Sequence, residues 1–176
     1  MYKKILITGG AGYIGSHAVL ASLEKGYQVI VVDNLFRGYK EVIDELQKKY
    51  GQDKLSFYQV DLNDKKSLEE VFVKERPEAV MHFGALCLVN ESMEKPGLYF
   101  RNNVLGTLNL LEAMDEADCK NLVFSSTCAT YGESAYLPVD EKHPQFPTNP
   151  YGESKLMAEK EIIWFTKLHY LALLIL

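Results

Sequence analysis

Tyr151 and Lys155, in Pro150-Tyr151-Gly152-Glu153-Ser154-Lys155, could move a proton between them. Residues four apart share one face of a helix, so a helix here sets the ammonium one turn from the phenol. A positive charge at that distance stabilises a phenolate and lowers the tyrosine pKa, which makes Tyr151 a usable base near neutral pH. Taken alone, the pair is also an ordinary amphipathic surface pairing. Upstream lies a run of hydroxyls, Ser125-Ser126-Thr127, following the apolar Leu122-Val123-Phe124. The end of such a strand is where doubly wound folds place ligands.

The second chemical signal is Thr8-Gly9-Gly10-Ala11-Gly12-Tyr13-Ile14-Gly15. It follows a strand-like run and opens a helix-like one. Glycines let a backbone approach a pyrophosphate, and a helix N-terminus offers N–H donors and a positive dipole. The next strand ends at Asp33, 18 residues beyond Gly15, close to the interval expected of a ribose-binding acid. A carboxylate there accepts hydrogen bonds from ribose hydroxyls and repels a 2′-phosphate, so the pattern favours NAD over NADP. The alternative for Asp33 is a strand-ending turn cap.

Positioning these residues requires alternating strands and helices. Strands are expected at Lys4–Thr8, Gln28–Val32, Leu55–Val60, Ala79–Phe83, Asn121–Ser125 and Leu171–Leu176, with helices at Tyr13–Lys25, Tyr39–Lys49, Lys65–Lys74, Leu98–Met114 and Tyr151–Thr166. Apolar strands of this kind suit a parallel sheet covered on both faces, and right-handed βαβ units then give an α/β doubly wound Rossmann-type sheet in the order 3-2-1-4-5-6. The irregular stretch Gly132–Pro150, with four prolines, is long enough to be functional.

Composition narrows the class. Hydrophobic residues make up 47% and charged residues 24%, as in soluble globular domains. The net charge of −5 and the absence of any basic block argue against a nucleic-acid partner. Three cysteines outside any C-x-x-C pair suit free thiols in a reducing compartment, with no metal site expected. The C-terminal apolar run is too short to span a bilayer, so the expectation is a cytoplasmic protein without membrane contact.

Taken together, Thr8–His17, Val31–Leu35, Met81–Ala85, Glu91–Pro96, Asn102–Met114, Phe124–Gly132 and Pro150–Glu159 resemble the UDP-glucose 4-epimerases, of the extended short-chain dehydrogenase/reductase superfamily. The resemblance implies reversible oxidation at C4 of a UDP-sugar by tightly bound NAD, through a 4-keto intermediate, in galactose metabolism. It implies catalysis by Tyr151, Lys155 and Thr127. It implies cofactor contacts from Gly9, Gly12, Tyr13, Ile14, Gly15, Asp33, Asn34, Asp61, Leu62, Phe83, Gly84, Ala85 and Asn102, with Tyr151 and Lys155. Asp61 stands where the family has an adenine contact; its alternative is a helix N-cap. A homodimer is left open.

There are departures from the family pattern. Cys87 replaces a lysine found in some members, Asn90 a common glycine, and Gly84-Ala85 reverses a common order. His17 and His82 are expected to be structural. Related dehydratases carry Asp-Glu directly after the catalytic threonine; Cys128-Ala129 here offers no acid for water elimination. The resemblance is expected to fade after Trp164-Phe165, so residues 1–176 read as an NAD-binding domain lacking most of the C-terminal substrate domain. An epimerase by descent, a non-catalytic NAD-binding module and an epimerase for another UDP-sugar remain the competing functions.

Overall fold

The structure is a computed structural model describing residues 4–169 and 171–176. Its sheet has six parallel strands in the order β3-β2-β1-β4-β5-β6. The strands are β1 (Lys4–Thr8), β2 (Gln28–Val32), β3 (Leu55–Tyr58), β4 (Ala79–His82), β5 (Asn121–Phe124) and β6 (Ala172–Ile175). Between them run α1 (Tyr13–Glu24), α2 (Lys40–Tyr50), α3 (Lys65–Glu75), α4 (Val89–Glu94), α5 (Pro96–Tyr99), α6 (Gly106–Glu116) and α7 (Pro150–His169). The expected Rossmann order is therefore present.

Strand alternation divides the core into two faces. Leu6, Ile30, Val32, Val80, Leu122 and Phe124 point to one side and pack with Leu68 and Phe72 of α3, Leu110 and Met114 of α6, and Ala158 and Ile162 of α7. Ile7, Val29 and Val31 point to the other, against Val19 and Leu23 of α1 and Ile43 of α2. Each fully buried Leu, Ile or Phe contributes about 1.5–3 kcal/mol.

The expectation of a sheet covered on both faces is met only in part. From β1 the chain steps outward one way to β3; from β4 it steps the other way. Right-handed crossovers therefore lay α1 and α2 on one face and α3, α6 and α7 on the other. Over β4, β5 and β6 none of the described helices covers the first face, which forms an apolar trough lined by Met81, Val123, Leu174, and Ala18 and Ala21 of α1.

Helix ends follow local chemistry where that chemistry is strong. Asn149 accepts from the Gly152 N–H at 2.8 Å, and Pro150 is the first residue of α7, a position that needs no N–H donor. Asp64 caps α3 through the Ser67 N–H at 3.2 Å. The cap alternative for Asp61 is thus taken by Asp64. The expected helix Leu98–Met114 is continuous but not uniform: α5 passes directly into a π-helical turn, Phe100–Leu105, and on into α6. The extra residue in that turn shifts the side-chain register, so adjacent Asn102 and Asn103 meet different surroundings. Sequence periodicity carries no sign of it, nor of α4.

Among the described residues, no helix is long and apolar enough to cross a membrane.

Candidate active site

At the C-terminal edge of β1, Gly9 takes a left-handed backbone (φ 68°), and a Cβ there would lie 2.7 Å from the Gly84 nitrogen. Glycine is required both for the turn and for the approach of the β4 loop. Gly15 is tighter still: a Cβ would stand 2.1 Å from the Gly9 carbonyl oxygen. Gly12 opens α1, and a Cβ there meets only the Gly9 oxygen, at 3.2 Å. No side chain caps α1, and no acid sits in its first turn. The orphan N–H groups of that turn give the start of α1 a positive potential, which favours an anion. Tyr13 and Ile14 belong to the same turn with their side chains exposed.

The cleft beside this loop is lined by Gly9, Gly12, Asp33, Asn34, Leu62, Phe83, Gly84, Ala85 and Asn102. Asp33 is buried; its carboxylate accepts from the Ala11 N–H at 3.0 Å and the Leu35 N–H at 2.8 Å. It caps the turn after β2 and ties down the glycine loop. An ionised carboxylate offers about four acceptor sites, so these two bonds leave capacity for a ligand hydroxyl. Asp61 does not line the cleft. It accepts from Asn34 Nδ2 at 2.7 Å and from Asn63, binding the end of β2 to the end of β3. Burial pushes its pKa up, but the hydrogen bonds from Asn63 and Asn34 outweigh that and hold it below the usual value.

His82 is fully buried between two threonines. The Thr107 hydroxyl donates to the Asn103 carbonyl at 2.6 Å, so toward His82 Nε2, 3.0 Å away, it acts as acceptor. Nε2 then carries the proton, and Nδ1 accepts from the Thr8 hydroxyl at 2.6 Å. Burial pulls the imidazole pKa down to about 3, with the Lys155 charge adding to the effect. His82 is a neutral strut joining β1, β4 and α6. His17 lies exposed on α1, edge-on to Tyr13.

Thr127 is hydrogen-bonded to Tyr151, and Lys155 follows one turn along α7 from that tyrosine. Thr127 starts a short turn at Cys128–Thr130, and its Oγ1 accepts from the Ala129 N–H at 3.2 Å. Its hydroxyl proton remains a donor. Tyr151 is set by α7 and lies edge-on to buried Tyr99, with ring centroids 6.4 Å apart. The expected lowering of the tyrosine pKa is not found in the protein alone. Burial raises it, opposed by the neighbouring Thr127 hydroxyl. Lys155 is 3% exposed, and its Nζ stands 3.9 Å from the centroid of the Phe124 ring. Burial pulls its pKa down from 10.5 to about 7, against the opposing pull of Glu159 and Cys87.

Asn103 joins the two regions, a role that sequence reading missed. It accepts from the Leu86 N–H at 2.9 Å and donates to the Leu86 carbonyl at 3.0 Å and to Ser154 Oγ of α7 at 2.9 Å. Asn102 lines the cleft and donates to Asn103 Oδ1 at 2.9 Å. The Asn102-Asn103 pair is visible in sequence; which member faces inward depends on the π-helical turn. Arg37 and Gly38, which also line the cleft, were missed too. Among the described residues, no group of three or more His, Cys, Asp or Glu could hold a metal, and all three cysteines are free.

Residues 6–175 match the sequence profile of the GDP-mannose 4,6 dehydratase family. The chain belongs to this family. The match runs past Trp164-Phe165, where the resemblance was expected to fade, and takes in β6. UDP-glucose 4-epimerase 2 of Arabidopsis thaliana is 48% identical over 162 residues, 91% of this chain and 46% of that protein. A UDP-Glc/GlcNAc 4-epimerase of Campylobacter jejuni superposes with a TM-score of 0.94 at 38% identity, over 98% of this chain and 52% of that one. A UDP-glucose 4-epimerase of Brucella ovis, solved in complex with NAD, gives 0.90 at 38% identity, over 98% and 50%. The chain thus spans about half the length of the family members it matches.

Proposed function

We propose that residues 1–176 form the NAD-binding domain and proton-transfer corner of a UDP-sugar 4-epimerase that interconverts UDP-glucose and UDP-galactose. The observation that carries this reading is the hydrogen bond between Thr127 and Tyr151, with buried Lys155 one turn along the same helix, in a chain whose β1 edge carries the glycine-lined cleft. The cleft residues fit the dinucleotide. Gly9 and Gly12 and the uncapped start of α1 suit a pyrophosphate, and Asp33 keeps acceptor capacity for ribose hydroxyls while disfavouring a 2′-phosphate. Asp61 acts by holding Asn34, while Phe83, Gly84, Ala85 and Asn102 wall the nicotinamide side.

In this reading Tyr151 takes the proton of the sugar C4 hydroxyl and later returns it. Thr127 donates to the same oxygen. Lys155, in its ammonium form, offsets the phenolate. NAD, when bound, supplies a hydride acceptor at C4 and a positive ring that favours the phenolate, against the burial that raises Tyr151 in the protein alone. Most of the acceleration then comes from positioning. Cys128-Ala129 after Thr127 gives water elimination no acid, which supports epimerisation over the dehydration in the family's name. The Arabidopsis and Brucella relatives carry the UDP-glucose name; the Campylobacter name adds an N-acetyl sugar, so UDP-glucose is the first substrate to try.

The test combines NAD titration of the purified chain with a coupled assay for UDP-galactose. The expected result is NAD binding, with Tyr151→Phe keeping that binding and losing turnover at least ~100-fold. Absence of NAD binding overturns the reading. Binding without turnover assigns the chain to a non-catalytic NAD module.

A second reading concerns self-association. Leu105 and Met157 are exposed in a groove with Phe100, Val104, Arg101 and Glu161, between the π-helical turn and α7. Glu161 Oε2 is buried there without a hydrogen-bond partner among the described residues. In a two-fold contact both copies present the same groove, so the exposed Leu105 and Met157 of each would be buried together. Sedimentation at micromolar concentration should give a dimer, and Glu161→Arg a monomer.

A further inference from the structure

Glu159 lies one turn beyond Lys155 on α7, so Tyr151, Lys155 and Glu159 fall on one face of the helix. It is 8% exposed, and both its oxygens are engaged. Oε1 accepts a hydrogen bond from the Ser126 hydroxyl, and Oε2 accepts from Gln145 Nε2 at 2.9 Å. Ser126 is the chain neighbour of Thr127. Its backbone N–H also holds the Leu176 carbonyl at 2.8 Å, at the end of the β5–β6 ladder. Gln145 belongs to the irregular stretch before α7. That stretch is closed by the Gly132–Phe146 bridge and packed around buried His143, whose Nε2 accepts from the Ala135 N–H at 3.0 Å. A carboxylate this buried is costly unless paired and hydrogen-bonded, so its position here calls for a reason.

We propose that Glu159 is a positioning residue: its carboxylate ties the Ser126–Thr127 strand end and the Gln145 segment to α7, and sets a negative charge one helical turn from buried Lys155. The proposal rests on the site reading above for the importance of Lys155 and Thr127, but its geometry is independent of any ligand. The charged groups acting on Lys155 are Glu159 from its own helix and Cys87 from the loop after β4; His82, at the end of β4, is neutral and itself feels the Lys155 charge. Glu159 is the stronger of the two that favour the charged form, and burial opposes both. Tyr131 also lies within the field of Glu159.

Glu159→Gln separates the charge from the bonds. A glutamine carbonyl still accepts from Ser126, and Gln145 can rotate its amide to pair with the new NH₂. The experiment titrates the chain carrying ¹³C-labelled lysine by NMR, with the Lys155 signal assigned by its loss in Lys155→Met. Limited proteolysis of the Gly132–Pro150 stretch is read in parallel. Glu159→Gln should lower the proton affinity of Lys155 by roughly threefold to tenfold with little change in cleavage. Gln145→Ala should raise cleavage several-fold and leave the Lys155 midpoint in place. Glu159→Asp should restore most of the midpoint. An unmoved midpoint in Glu159→Gln overturns the proposal, as does an equal fall in Gln145→Ala. Neither readout uses NAD or sugar, so failure here is distinct from failure of the epimerase reading.

Discussion

The two halves of the site are held by different forces. Around the glycine loop the constraint is backbone against backbone: Gly9 against Gly84, and Gly15 against Gly9. Around Tyr151 it is side chain against side chain, with half-buried Ser126 and exposed Gln145 both bonded to buried Glu159, one turn from Lys155. The first arrangement is steric and insensitive to pH. The second is electrostatic and answers to every proton in its surroundings. Mutations should therefore divide by region: volume changes break the first half, and charge changes retune the second.

The largest effect is expected from Gly15→Val. Its Cβ has nowhere to go beside the Gly9 carbonyl, so the chain should lose roughly 3 kcal/mol or more and unfold at markedly lower denaturant. Gly12→Val is the contrast. Its Cβ faces only a marginal contact, so the fold should survive while NAD affinity falls by at least ~100-fold, about 2.7 kcal/mol. Calorimetric titration and a denaturant curve on both variants separate them. If Gly12→Val binds NAD normally, the anion-site reading of α1 is wrong.

Next comes Glu161, whose carboxyl burial raises from 4.5 to about 7. A folded-state pKa above the unfolded value means that the native state binds more protons between those limits. Its contribution is fully present below pH 4.5 and is lost as pH rises toward 7. Partial solvent screening reduces this to about 1–2 kcal/mol. His82, whose pKa burial lowers to about 3, contributes equally to both chains, so the melting-temperature advantage of Glu161→Gln over the native chain should grow as pH rises across that window; a constant difference would discard the assignment. The smallest effect belongs to Arg37→Ala. The Arg37–Glu91 pair, at 2.7 Å, ties the loop after β2 to α4, but Arg37 is half exposed. Its loss should cost under ~1 kcal/mol, and a larger drop in melting temperature would mean that the pair holds the cleft together.

How much of this could be read from sequence follows from range. The glycine loop, Asp33, the Asn149-Pro150 helix start and the Tyr151/Lys155 spacing are local patterns, each carried by a few neighbouring residues. The fold order followed from strand and helix alternation. The Glu159–Ser126 and Asn103–Ser154 bonds join residues 33 and 51 positions apart, and no periodicity announces them. The π-helical turn changes side-chain register without changing composition. The raised pKa of Tyr151 in the protein without cofactor was not legible, because spacing reports a neighbouring ammonium and is silent on how deeply both groups are buried.

The open trough over β4, β5 and β6 has a thermodynamic consequence. Met81, Val123 and Leu174 form a continuous apolar floor, with β6 at the sheet edge. Anything that settles there, from this polypeptide or another, binds the folded form alone and raises its melting temperature in proportion to the logarithm of concentration over dissociation constant. The stability of this sheet is therefore a function of its company as well as of its sequence.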